Sequence, residues 1–146
     1  MLLAVKNRVK EGEMQIRTYR DLVLWRKGID LAKEVYRVTK SFPAAERFGL
    51  ISQLQRAAVS VPSNIAEGQA RRHSGEFRQF LYQALGSLAE VDTQLYLAEE
   101  PGLIRRGEAD DAQALIEELR KMAHTLVRRL PDTRAIHQPR IPGTDH

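Results

Sequence analysis

The sequence predicts an all-α fold, an antiparallel up-down-up-down four-helix bundle with a kinked second helix. Apolar residues recur at steps of three and four along four segments of roughly 20 to 27 residues each, which is the period of an α-helix. No segment alternates apolar and polar residues for long, so we expect no strand. The links between the segments are short, and short links favour antiparallel neighbours.

The chain has the length and composition of one folded domain with two loose ends. It contains 146 residues, of which 42% are hydrophobic and 29% are charged, and this balance is typical of a globular protein. We expect residues 1–17 to form a flexible arm, residues 18–130 the bundle, and residues 131–146 a disordered tail. The absence of cysteine excludes disulfides, thiolate nucleophiles and metal sites with sulfur ligands.

The first helix, expected over about residues 21–40, has more apolar residues than one side of a bundle needs. The surplus indicates a second buried contact, with another subunit of the same protein, although a thick bundle core would also account for it. Phe42-Pro43 ends this helix, because the residue before a proline avoids helical geometry. Two neighbouring apolar stripes run along the helix: Leu22, Trp25, Ile29, Ala32 and Tyr36, and beside them Leu24, Leu31, Val35 and Val38.

The second helix is expected over about residues 45–71, with Leu50, Leu54, Ala58, Val61 and Ile65 on its apolar side. Pro62 lies within this pattern and removes one backbone donor. The apolar period continues beyond the proline, so we expect a kink near residues 58–62 and not an end of the helix.

The third helix has the clearest pattern, a heptad repeat that begins after Ser74, the expected N-cap, and ends before Pro101-Gly102. The fourth helix is expected over about residues 108–130. It opens with carboxylates and closes with Arg128 and Arg129, a charge order that suits the helix dipole.

Polar side chains form one stripe on the second helix and another on the third. Facing positions of two antiparallel helices have a nearly constant sum of residue numbers, and four pairs across these stripes add up to 146 or 147. We therefore expect an ion pair between Arg56 and Glu90, flanked by amide and hydroxyl contacts that fix the register of the hairpin. The simpler alternative is that both stripes face water. The expected network consists of Gln53, Arg56, Ser60, Asn64, Ser87, Glu90 and Gln94.

The small residues Ser60, Ser63, Gly86 and Ser87 favour a close approach of these two helices. If the ion pair is partly buried, replacing Glu90 by Gln leaves a charge without its partner and clearly destabilises the protein.

Several stretches of the chain match motifs of a known family. The most specific is the run from Ser52 to Gly68, SQLQRAAVSVPSNIAEG. Further matches are Tyr19-Arg20-Asp21-Leu22, Phe42-Pro43, Phe48-Gly49-Leu50, Glu76-Phe77, Gly86-Ser87-Leu88 and Thr93-Gln94-Leu95. Over about residues 18–130 the chain therefore resembles the bacterial four-helix-bundle family first noted in open reading frames within intervening sequences of 23S ribosomal RNA genes. It is also similar to the accessory variability protein of diversity-generating retroelements.

The resemblance implies an all-helical bundle that assembles into a ring-like homopentamer. The retroelement relatives have a basic surface, bind nucleic acid and contact a reverse transcriptase, so the resemblance also implies RNA, DNA or such an enzyme as partners. The chain departs from the family in its longer N-terminal arm and in the fourth helix, which matches only in general pattern.

No pattern in the sequence points to catalysis. The four histidines do not lie at the spacing of metal ligands, and there is no phosphate-binding loop, dinucleotide fingerprint or nucleophile elbow. The carboxylates of Glu67 and Glu90 are expected to face Gln79 and Arg56, which favours a structural role over an acid–base pair. We expect a protein without enzymatic activity and without a cofactor.

Basic residues give a stronger indication of function. The formal net charge is +4, and in an antiparallel bundle the start of the first helix, the turn between the second and third, and the end of the fourth lie together. Arginine binds phosphate through its guanidinium fork, so this end is expected to bind RNA or DNA without reading sequence. A homo-oligomeric scaffold that binds no nucleic acid is the alternative. The residues expected to bind are Arg17, Arg20, Arg71, Arg72, Arg78, Arg128 and Arg129.

No targeting or membrane segment is recognisable in the sequence. The apolar start, Met1 to Val5, is too short for a signal peptide, and no apolar run approaches the length of about 18 residues that a membrane span needs. We expect a cytoplasmic protein with no membrane partner.

Overall fold

The computed structural model describes residues 18–19, 22–46 and 49–131. The expected arm 1–17 and all of the expected tail except Pro131 lie outside these residues. The described part contains α-helices and a short 3₁₀ turn at Ala44–Glu46, and it contains no strand, so the prediction of an all-α fold is confirmed. The helices in the described part are α1 (Val23–Thr39), α2 (Leu50–Ala70), α3 (Ser74–Glu99) and α4 (Asp110–Arg129).

The helices pack around one apolar core. Helix α1 packs mainly against α2 and α4, and α3 packs mainly against the same two helices. Apolar residues of these four helices supply the core, and its largest fully buried side chains are Leu31, Val35, Val38, Leu54, Val61, Ile65, Leu81, Leu88, Val91, Leu95 and Leu119. Burial of this apolar surface is the main force that holds the helices together.

The two apolar stripes of α1 have different surroundings. The stripe of Leu24, Leu31, Val35 and Val38 is buried in the core. In the other stripe Leu22 and Ala32 are also buried, Trp25 and Ile29 are partly buried, and 46% of Tyr36 is exposed. The first stripe therefore lies in the core, and three residues of the second remain partly or largely exposed in the described part of the chain.

Helix α2 continues through Pro62 without a break. The proline lies against α1 at Gly28, where an added Cβ would be 3.3 Å from the Cβ of Pro62. Near the other end of α2, a Cβ on Gly68 would be only 2.6 Å from the Cβ of Phe80 in α3. At both glycines α2 packs closely against a neighbouring helix.

The N-cap of α3 is not Ser74, as the sequence suggested, but His73, which makes no side-chain capping bond. Ser74 is the first residue of the helix itself. In the described residues no helix combines the length and the apolar character needed to cross a lipid bilayer.

Candidate nucleic-acid interface

The predicted polar network forms in its middle part, between α2 and α3. The hydroxyl oxygens of Ser60 and Ser87 lie 2.5 Å apart and share a hydrogen bond, and the Ser60 hydroxyl is also 2.7 Å from the carbonyl oxygen of Ala57. Asn64 donates from Nδ2 to the carbonyl oxygen of Ser60 over 2.8 Å. The contact between the two serines links α2 and α3 at one of the facing pairs that the sum of residue numbers predicted.

The predicted ion pair between Arg56 and Glu90 is not formed. Both residues are exposed, and Glu90 instead accepts a hydrogen bond of 3.2 Å from Nε2 of Gln94 on its own helix. Charged groups that remain in water gain little from pairing, which explains why the two side chains stay apart. Gln53 is exposed, whereas Gln94 is buried and its Oε1 has no hydrogen-bond partner among the residues that the structure describes.

The close approach of α2 and α3 depends on a different glycine from the one expected. A Cβ on Gly86 would meet nothing within 4 Å, whereas Gly68 faces Phe80 at the crossing described above. Ser63 is exposed and takes no part in the contact.

The start of α3 is tied to the end of α4 by Arg78. Its Nη2 donates to the carbonyl oxygens of Leu130 and Pro131 over 3.1 and 3.2 Å. The link between α2 and α3 therefore lies beside the end of α4, and together these segments form what we call the basic end, residues 66–80 and 124–131. The basic end contains five arginines and two glutamates. Arg17 and Arg20 lie outside the described residues.

The arginines of the basic end are not equally available to a ligand. Arg71 donates to Glu67 over 3.2 Å, and its guanidinium lies 5.4 Å from the centre of the Phe80 ring. Arg128 donates to the hydroxyl of Thr125 over 3.3 Å. Arg72 and Arg129 are exposed, and neither has a side-chain partner among the described residues.

Arg72 has an unusual backbone for an arginine. Its φ is +61°, in the left-handed region, directly after the C-cap of α2. Glycine or asparagine usually occupies this position, because a Cβ there costs about 1 to 2 kcal/mol. Sequence analysis selected Arg72 for its charge and missed the strain, which the lack of a glycine or asparagine between Ala70 and Ser74 could have indicated.

The opposite region of the chain, around the link between α3 and α4, is acidic. Residues 99–111 contain five carboxylates and two arginines, and Glu108 accepts hydrogen bonds from Ser41 and from the backbone of Arg105. On α1, the hydrogen bond to Glu34 raises the pKa of Arg37 above its usual value. The basic end and residues 99–111 therefore carry net charges of opposite sign.

The described residues offer no arrangement that suits a metal. No group of three His, Cys, Asp or Glu side chains among them is close enough to hold an ion. Glu67 is engaged with Arg71, and Glu90 with Gln94, so the two carboxylates considered as an acid–base pair have separate partners.

The family model described as 23S rRNA-intervening sequence protein matches residues 20–125 of this chain. The chain belongs to this family. The match covers well over half of the sequence and includes the Ser52–Gly68 run, so the family resemblance found in the sequence is confirmed.

A solved structure with a similar fold comes from Bacteroides thetaiotaomicron and is described as a protein with unknown function from the S23 ribosomal protein family. The TM-score is 0.67 at 20% sequence identity, and the match covers 73% of this chain and 99% of that one. At this identity the comparison supports the fold alone. No curated protein is significantly similar to the chain.

Proposed function

We propose that this member of the 23S rRNA-intervening sequence protein family is a non-catalytic homo-oligomer that binds RNA or DNA through phosphates at its basic end. The observation that carries the proposal is Arg72, an exposed arginine without a partner in the described residues and with a strained backbone. Strain at a residue with no structural partner is typical of functional sites. An arginine at this position supplies a guanidinium that none of the described residues binds.

The proposal includes an up-down-up-down order of the four helices, with a kink of α2 at Pro62. Contacts between neighbouring helices support this order. Residues further along one helix contact residues earlier in the other, so the two helices run in opposite directions. Examples are Gly28–Pro62 and Thr39–Gln55 between α1 and α2. The missing N–H of Pro62 leaves one carbonyl of the preceding turn without its helical donor, which supports a kink.

Binding through phosphates follows from the chemistry of the basic end. Guanidinium groups bind phosphate oxygens with two parallel hydrogen bonds, and phosphates are the same whatever the base sequence. The net charge of +4 per chain also attracts a polyanion, and a pentamer, which the family resemblance implies, would carry a charge of about +20. We place this binding in the cytoplasm, and by the same resemblance a reverse transcriptase is a partner to test.

Self-association is supported by a surface that we call the α1/α2 flank, formed by Trp25, Ile29, Tyr36 and Val59. Tyr36 and Val59 are 46% and 42% exposed, and Trp25 and Ile29 are partly buried. Val59 lies four residues after Gln55 and three before Pro62, both of which contact α1, so it is on the side of α2 that faces α1. A second subunit would cover this apolar surface. Light scattering tests it, and a pentamer has a mass of about 83 kDa, five times 16.6 kDa.

Fluorescence anisotropy with labelled duplex RNA and duplex DNA, measured over a series of salt concentrations, tests the binding. We expect the affinity to fall steeply as salt rises, because bound phosphates release counterions. Replacing Arg72 by Gly removes the charge and relieves the strained backbone. This variant should therefore unfold at a higher temperature than the wild type and yet bind more weakly, with a salt slope smaller by about one.

Arg106→Gln is the matched control. Arg106 is exposed and lies in the acidic region, so removing its charge should leave the affinity nearly unchanged. Absence of wild-type binding to both duplexes at about 50 mM salt would refute the proposal. If such a protein still assembles, the scaffold function takes its place. Equal losses in Arg72→Gly and Arg106→Gln would show that net charge, and not the basic end, determines binding.

A further inference from the structure

Helix α3 has a second stripe of uncharged residues, separate from the one that faces the core. We call it the α3 outer stripe: Tyr82, Gly86, Ala89, Thr93 and Tyr96, at steps of four, three, four and three. All five residues are exposed, with Tyr82 at 53% and Tyr96 at 61%. From Tyr82 to Tyr96 the stripe covers 14 residue steps, or about 21 Å of helix. It therefore has the regular spacing of a helix contact, and among the described residues its one side-chain hydrogen bond, from Thr93 to the carbonyl oxygen of Ala89, stays within α3.

Gly86, inside this stripe, is not required by the packing of the residues that the structure describes. A Cβ on Gly86 would meet nothing within 4 Å, whereas the same atom on Gly28 or Gly68 would press against a neighbouring helix. A glycine inside a helix lowers stability relative to alanine. It also lets another surface approach the backbone closely, so Gly86 is suited to a contact with a second subunit.

The α3 outer stripe and the α1/α2 flank are different surfaces of the same bundle. Ser87 marks the side of α3 that faces α2, and Arg78 marks the side that faces α4. Tyr82 lies four residues after Arg78, and Ala89 and Tyr96 follow at heptad spacing, so the stripe is on the α4 side. The flank lies where α1 meets α2, and one chain can use both surfaces at once.

The charges beside the two surfaces have opposite sign. Lys33 and Lys40 each follow a flank residue by four positions, and both are exposed. Asp92 and Glu100 lie beside or at the end of the α3 outer stripe and are also exposed. None of these four side chains has a partner among the described residues. Opposite potentials on two apolar surfaces favour binding of one to the other over binding of each to itself.

We infer that the α1/α2 flank of one subunit binds the α3 outer stripe of the next. This inference rests on the proposed homo-oligomer and specifies its interface. Such an interface joins two unlike surfaces, so an open chain of subunits leaves one flank and one stripe exposed, and closure into a ring covers both. A ring with an odd number of identical subunits needs an interface of this kind, because two-fold interfaces use each surface in pairs.

A mixing experiment tests the interface. The flank variant carries Tyr36→Glu and Val59→Glu, and the stripe variant carries Gly86→Gln, which adds a long polar side chain where the single chain has open space. Val23→Glu is the control, because Val23 is 54% exposed on α1, four residues before Lys27, which pairs with Glu118 of α4. Light scattering gives the mass of each variant alone and of a 1:1 mixture of the flank and stripe variants. Circular dichroism checks that each variant keeps its helix content.

We expect the control to keep the wild-type mass and each of the two variants to be a monomer. Their mixture should form a dimer, since one intact stripe then meets one intact flank. Association of the flank variant with itself, or wild-type mass for both variants, would overturn the inference while leaving the homo-oligomer in place. A monomeric wild type would instead refute the oligomer and with it this interface.

Charge reversal gives a test that leaves the apolar surfaces unchanged. Lys33→Glu with Lys40→Glu should weaken assembly, and so should Asp92→Lys with Glu100→Lys. All four substitutions in one chain should restore assembly, because the surfaces are again complementary. Failure of the combined variant to recover would contradict the pairing of these surfaces.

Discussion

Two glycines inside helices should respond in opposite ways to the same substitution. A Cβ on Gly68 would lie 2.6 Å from the Cβ of Phe80, and that atom is fixed to the backbone of α3, so the helices themselves must move apart. A Cβ on Gly86 would enter open space. We therefore expect Gly68→Ala to destabilise the fold of the single chain and Gly86→Ala to stabilise it.

The magnitudes follow from two terms. Alanine in place of glycine stabilises a helix by about 1 kcal/mol at either position. Excess volume in a packed contact costs about 1 to 3 kcal/mol, and only Gly68→Ala meets this cost. Because the helix term is the same for both variants, the difference between their free energies of unfolding isolates the packing cost, about 1 to 3 kcal/mol.

Urea unfolding followed by circular dichroism measures this difference. With a slope of about 1 to 3 kcal/mol per molar urea, the midpoints of the two variants should differ by about 1 M. Measurement at two protein concentrations separates the effect from any change in self-association. A Gly68→Ala variant as stable as Gly86→Ala would refute the close approach of α2 and α3 at this crossing.

Polar residues of α3 give two further predictions, both checked by the same urea titration. Gln94→Met should raise the free energy of unfolding by about 1 kcal/mol, because it removes a buried carbonyl oxygen that has no donor; a loss of stability would mean that this oxygen has a partner. Glu90→Gln should change stability by less than about 0.5 kcal/mol, because Glu90 is exposed, whereas Ser87→Ala should cost about 1 kcal/mol by removing the hydrogen bond to Ser60. A larger loss of stability from Glu90→Gln than from Ser87→Ala would instead support the ion pair of Glu90 and Arg56 that the sequence suggested.

The helical period predicted the core well because burial is collective. Leu31, Leu54, Leu88 and Leu119 lie on stripes of many apolar residues, so one uncertain position does not change which side of a helix is buried. The constant sum of residue numbers located the Ser60–Ser87 contact, because one pair of facing residues fixes the register of an antiparallel hairpin.

Individual polar contacts and glycines were harder to predict. Arg56 and Glu90 have matching heights, but both side chains reach water, and the gain from pairing is then too small to hold them together. Gly68 and Gly86 look alike in the sequence, and only the position of Phe80 distinguishes them. The left-handed backbone of Arg72 likewise depends on the path of the chain from α2 into α3.

The opposite charges of the basic end and the link between α3 and α4 give the molecule an electric dipole. In the field of a nucleic acid, a torque acts on such a dipole and turns the arginines towards the phosphates before the surfaces touch. Fewer collisions are then unproductive, and the association rate constant exceeds that of a protein with the same net charge spread evenly. Added salt screens this alignment over distances of about 10 Å, so it should slow association more than it speeds dissociation.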